Sequence, residues 1–113
     1  MRTDQERLRD VLEAIERIEK YATLGKAHFE ADELVQNWMT HHIQIIGEAC
    51  RSLTPQFQKR HSDIPWAEII GMRNILVHDY FGIDLAEVWK AVERDLPALK
   101  PKIKSLLQSD PGA

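Results

Sequence analysis

Cysteine is almost missing from this chain: Cys50 is the only one among 113 residues. No intramolecular disulfide and no multi-cysteine zinc site can therefore form. Long hydrophobic runs are missing as well. No segment approaches the ~18 consecutive apolar residues of a membrane span. The start, Met1-Arg2-Thr3-Asp4-Gln5-Glu6-Arg7, leads into an amphipathic pattern instead of a secretory signal. The expectation is a soluble, cytoplasmic protein. Excess positive charge is absent too: 15 Lys and Arg stand against 18 Asp and Glu, a formal charge of −3. That balance excludes a protein that coats nucleic acid through bulk charge, while leaving room for a small, local phosphate site. Alternating strand patterns, repeats and low-complexity tracts are not seen either.

What remains is helical periodicity over a length suited to one domain. A single helical domain is expected over residues 1–108, with 109–113 as a frayed tail. Thr3-x-x-Glu6 is a capping-box pattern and opens a first helix, whose Leu8, Val11, Leu12, Ile15, Ile18 and Ala22 share one face. Gly25 breaks it, with room for one short extra helix near Lys26. A second helix runs from about Asp32 to Leu53, where Thr54-Pro55 stops it. Thr54 to Ile64 reads as a loop with at most one helical turn around Gln56 to Lys59. The third helix begins at Pro65, in a first turn where a missing N–H costs nothing, and should end near Gly82. Asp84 caps a fourth, which Pro97 and Pro101 should bend or interrupt. The predicted fold is all-α, an up-and-down four-helix bundle.

Chemistry concentrates in Gly71-Met72-Arg73-Asn74-Ile75-Leu76-Val77-His78-Asp79-Tyr80-Phe81. At about 100° per residue, Asn74 and His78 share a helix face, as do Arg73, Val77 and Tyr80, whereas Asp79 faces away from His78. Near a helix C-terminus, His78 is biased towards its protonated form. Arginine offers a fixed fork of donors for two phosphate oxygens, and histidine exchanges protons near neutral pH. Such a set suits metal-free RNA cleavage. One histidine can hardly be both acid and base in a turnover, which favours a symmetric dimer with two copies across a cleft. Spacing alone leaves other readings open: a structural histidine in a partner- or nucleotide-binding module, or an RNA-binding regulator that does not cut.

The segment Arg73-Asn-x-x-x-His78-x-Tyr80 resembles the Arg-x4-6-His motif of HEPN domains, in the form found in HepT-like toxins. Ile46-Gly47-Glu48-Ala49, Ile64-Pro65-Trp66, Tyr80-Phe81-Gly82-Ile83-Asp84, Val88-Trp89 and Leu96-Pro97 are similar to that family's sequence in its usual order, covering roughly Leu8 to Leu107. The resemblance implies a homodimeric, metal-independent ribonuclease that needs no cofactor. It assigns Arg73 and His78 to catalysis, with Asn74 as the polar residue that often follows the arginine. It also implies an MNT-type nucleotidyltransferase antitoxin as partner, which transfers AMP from ATP to Tyr80. An added AMP would bring bulk and negative charge beside the phosphate site.

Other candidates are weaker. His41 and His42 are adjacent, point about 100° apart and cannot chelate one metal together. His28 and His61 fall in expected loops. Trp38, Trp66 and Trp89 lie on apolar stripes and read as core or dimer anchors in preference to base-stacking platforms. Glu48 interrupts Ile45, Ile46 and Ala49, and either supports Arg73 from the cleft or stands exposed on its helix. Arg51, Lys59, Arg60 and His61 form the best local basic cluster, offering extra RNA phosphate contacts or simply a solvated loop. Lys100, Lys102 and Lys104 read as caps for the last helix.

Overall fold

Four short polar side chains set where the helices begin. In the computed structural model, which describes residues 2–77 and 84–109 (backbone alone for 73–77), the Thr3 hydroxyl accepts the Glu6 N–H at 3.1 Å and starts α1 (Asp4–Ala22). Asp32 Oδ1 accepts Leu34 N–H at 3.0 Å and starts α3 (Glu33–Arg51). Thr54 caps α4 (Pro55–Arg60) through Phe57 N–H at 3.2 Å, and Asp84 caps α6 (Leu85–Lys90) through Glu87 N–H at 3.2 Å. Each supplies an acceptor to a backbone donor that the first helical turn leaves without one. Gly25, at φ +92°, turns the chain between α1 and the short α2 (Lys26–Ala31), a conformation that side-chain-bearing residues avoid.

Among the described residues there is no strand, and the helices form the expected bundle. Its long members are α1, α3, α5 (Trp66–Val77) and the rod made by α6, a π-turn (Ala91–Asp95) and α7 (Leu96–Ser109). α3 packs against both α1 and α5, while α7 packs back onto α1. The core is continuous: Leu8, Val11, Ile15 and Ile18 meet Met39, Ile43, Ile46 and Cys50, then Phe57, Trp66, Val88, Leu96 and Ile103. Two polar clasps fix the ends. Asp4 accepts the Thr54 N–H and hydroxyl at 2.9 and 2.7 Å, joining α1 to α4, and Lys100 Nζ donates to Glu19 Oε1 at 2.7 Å, joining α7 to α1.

The structure departs from the sequence reading in three places. The stretch after Thr54 holds a true helix, α4, because one residue, Phe57, is fully buried and anchors it. Gln58 Nε2 also donates to Cys50 and Leu53 carbonyls at 3.0 and 3.3 Å, closing α4 onto the end of α3. His28 lies in the short α2, the extra helix for which the sequence left room near Lys26, and not in a loop, with Nε2 3.2 Å from Asp32. The prolines do not break the last rod. The Leu96 N–H reaches back to the Ala91 carbonyl, a five-residue step, so the α register restarts with Pro97 in its first turn, where no N–H is required. Pro101 is carried inside α7, and that helix runs through Ser109. The expected end of the third helix near Gly82 falls outside the described residues.

Candidate active site and its surroundings

The motif helix is placed by its neighbours. Trp66 and Ile69 of α5 are buried against α3, and the Trp66 indole N–H donates to the His61 carbonyl at 3.0 Å. Phe57 lies against both, with ring centroids 6.2 Å from Trp66 and 4.6 Å from His61. α4 is therefore a wedge that locks the start of α5. From that anchor the helix carries Arg73 one turn beyond Ile69, with Asn74 next along the backbone. The side chains of Arg73 and Asn74, and the whole of His78 and Tyr80, lie outside the described residues.

The surrounding candidates are on view. Glu48 is exposed on α3 and borders a groove of about 420 Å³ between α1 and α3, with Arg7 and Ile45. Arg51 ends α3, and Lys59 and Arg60 end α4, all three exposed. The clamp from Gln58 to the end of α3 puts them at one end of the bundle, and Arg60 covers the Phe57 ring at 5.7 Å. His42 is a core histidine: it is 5% exposed, its Nδ1–H donates to the Trp38 carbonyl at 2.8 Å, and its ring lies 4.4 Å from that of Trp38. Burial holds its pKa below 6.5, against the opposing pull of the Trp38 carbonyl. Burial likewise pushes the Cys50 thiol up to about 12, far from a reactive thiolate. Among the described residues, no three His, Cys, Asp or Glu side chains come together to hold a metal. No helix among them is long and apolar enough to cross a membrane.

The tryptophans divide. Trp66 is core; Trp38 is half-buried and donates to the Arg17 carbonyl at 2.8 Å; Trp89 is half-buried on Phe29, centroids 5.3 Å apart. Trp89 lines a groove of about 440 Å³ between α2 and α6, with Lys26, Lys90 and Arg94 on its walls. Sequence reasoning missed this group. Its signal was the four-residue spacing of Lys90 and Arg94 beside an aromatic residue, but Lys26 comes from another helix.

A narrower cleft, bounded by Ile43, Glu68, Met72, Glu87, Lys90 and Asp95, separates α5 from α6. Lys90 borders both spaces, and Met72 immediately precedes Arg73. The α5–α6 cleft and the α2–α6 groove thus adjoin at Lys90.

Comparison with known proteins agrees with the motif. The family model described as "Ribonuclease HepT-like" matches residues 11–106. The chain is 38% identical over 106 residues to "Probable ribonuclease HepT" of Thermococcus cleftensis, covering 93% of this chain and 96% of that protein. It is 32% identical over 111 residues to "Putative RNase TTE0752" of Caldanaerobacter subterraneus subsp. tengcongensis, covering 97% and 99%. No solved structure matches the chain significantly. A match that runs from the second turn of α1 to the last turn of α7 takes in the whole bundle and its motif, and this chain belongs to the HepT-like ribonuclease family.

Proposed function

We propose that the protein is a metal-independent endoribonuclease toxin acting as a homodimer. The observation that carries the reading is the family match across residues 11–106, which includes Arg73, Asn74, His78 and Tyr80 in their motif spacing. In the reaction a base takes the proton from an RNA 2′-hydroxyl. The 2′-oxygen attacks the adjacent phosphorus, the bond to the 5′-oxygen breaks, and an acid protonates that leaving oxygen. The products are a 2′,3′-cyclic phosphate and a 5′-hydroxyl end. His78 is the acid or base, Arg73 holds the charge that develops on the phosphoryl oxygens, and Asn74 orients the phosphate or His78. A second copy supplies the second histidine across the cleft.

In the same reading, the toxin is restrained by an MNT-type nucleotidyltransferase. The Tyr80 oxygen attacks the α-phosphorus of ATP, an O–P bond forms, and pyrophosphate leaves. The bulk and charge of the adduct close the site to RNA. Glu48 supports the site from α3, and Arg51, Lys59 and Arg60 add phosphate contacts for a longer strand.

Purified, unmodified protein should cut cellular RNA in the presence of EDTA, leaving cyclic phosphate ends. Arg73→Ala and His78→Ala should fold normally and cut at least about a hundredfold more slowly, the usual scale for a lost acid–base group. A folded wild type without cleavage, together with unchanged toxicity in both variants, would mean a binding module and not an enzyme. Co-expression with the antitoxin should add mass in whole AMP units, and Tyr80→Phe should abolish the adduct.

A further inference from the structure

The groove between α2 and α6 combines features that no step of the proposed reaction uses. Its floor is aromatic, with Trp89 half-buried on the fully buried Phe29. The Trp89 Nε1–H lies below the surface without a hydrogen-bond acceptor among the described residues. Such an orphaned donor is uncommon in a packed structure. Three exposed cations stand along the groove: Lys26 on α2, then Lys90 and Arg94 one turn apart on the facing rod. Lys26 is only loosely engaged, 4.0 Å from Glu30. The π-turn spans Ala91–Asp95 and carries Glu93 and Arg94 to the rim, a local geometry that recurs at functional sites.

An aromatic floor with cations at the rim is the chemistry of single-stranded nucleic acid: bases stack on the ring while phosphates follow the charge. The chain's overall charge of −3 gives no general attraction for a polyanion; in the groove, Lys26, Lys90 and Arg94 outnumber Glu30 and Glu93, and that local excess of cations is the complementarity a strand would use. Lys90 also borders the cleft beside Met72, the residue before Arg73, and among the described residues is the one cation on a wall that otherwise carries Glu68, Glu87 and Asp95. We infer that the α2–α6 groove is a strand subsite for single-stranded RNA. It seats a nucleotide outside the scissile step, with a base on Trp89 and phosphates at Lys90, Arg94 and Lys26. The assignment rests on the ribonuclease reading for its choice of ligand. Its consequence is specificity by length, because a long strand fills the groove and a dinucleotide does not.

The test separates binding from cleavage by using a fluorescein-labelled single-stranded DNA 20-mer, which keeps bases and phosphates but lacks the attacking 2′-hydroxyl. Affinity is measured by anisotropy from low to moderate salt for wild type, for K90A/R94A and for K102A/K104A. The last pair removes equal charge from exposed sites on α7. Each lost phosphate contact lowers the salt slope by ~0.7 for a single strand, so K90A/R94A should lose about 1.4 of slope and K102A/K104A none. Trp89→Leu should weaken binding about 5- to 150-fold, the range for one lost base stack, while Trp89→Phe retains most of it. Unchanged circular dichroism identifies the variants that fold. For cleavage, K90A/R94A should raise KM for a 20-nucleotide RNA and leave dinucleotide cleavage untouched.

Equal losses in both charge pairs would reduce the effect to bulk charge. Unaltered binding in K90A/R94A would leave the groove to a protein or small-anion ligand; either result overturns the inference. A wild type that binds the DNA through the groove yet cleaves no RNA would refute the enzyme reading and leave the subsite standing.

Discussion

Ile43 is the position where the bundle can be weakened by a graded amount. It is fully buried on α3, the helix held between α1 and α5, and two turns before the fully buried Cys50. Ile43→Val removes one methyl group, and Ile43→Ala removes most of the side chain beside the cleft that Met72 and Ala91 also border. Large-to-small changes of these kinds cost about 0.5–1.5 and about 2–5 kcal/mol respectively. A domain of this length is stable by roughly 6–17 kcal/mol, so both variants should fold. The cleft lets solvent approach the truncated site, which places Ile43→Ala near the low end, about 2–3 kcal/mol.

Cys50 reports the result without an added probe. Its thiol is fully buried and its pKa is pushed up to about 12, so it should react with a disulfide reagent only when the structure opens. Where opening is a rapid pre-equilibrium, labelling follows stability at about 1.4 kcal/mol per decade. The expected acceleration is about 2- to 13-fold for Ile43→Val and about 30- to 160-fold for Ile43→Ala, matching the loss from urea midpoints. A Cys50 that labels equally fast in all three proteins while the urea midpoint moves would show that the end of α3 opens on its own. An unmoved midpoint would refute the packing argument itself.

Other outcomes follow from single contacts. Because His42 has a pKa below 6.5 when folded, the unfolded chain takes up its proton first. Stability contributed at neutral pH should therefore be lost as pH falls from about 6.5 through the folded-state pKa, and His42→Gln should flatten that part of the urea-midpoint profile relative to wild type. Asp4→Ala removes the acceptor for both the Thr54 N–H and hydroxyl; a loss of about 1–2 kcal/mol is expected, read as a lower melting temperature. Gly71 lies inside α5 with nothing among the described residues within 4 Å of an added Cβ, so Gly71→Ala should stabilise the fold by about 0.5–1 kcal/mol through helix propensity.

The helix starts were legible because a cap is a local event: Thr3, Asp32 and Asp84 each bond a donor two or three residues ahead. The apolar stripes were legible for a similar reason, since helical spacing is written along the chain. α4 was not, because Gln56, Gln58, Lys59 and Arg60 look like loop around a single core residue, Phe57, and its decisive partners are Cys50, Leu53 and Trp66. The π-turn was hidden for another reason: prolines announce a missing donor but not how the helix accommodates it. The motif residues were singled out by spacing and family likeness, and their side chains lie outside the described residues. The grouping of Lys26 with Trp89, Lys90 and Arg94 was invisible, since it is made by two helices meeting.

The clasp between Glu19 and Lys100 has a bearing on how the protein is born. Its two ends are 81 residues apart in the chain, and α1 finds its second packing partner only in α7, the last helix to be made among those described. At about 5–20 residues per second, roughly 4–16 s pass between synthesis of the two ends. Through that interval the Leu8, Val11, Ile15 and Ile18 stripe has no α7 to cover it, and the bundle cannot close. The bundle therefore closes only once α7 has been made, and until then the apolar stripe of α1 depends on α3 for its cover.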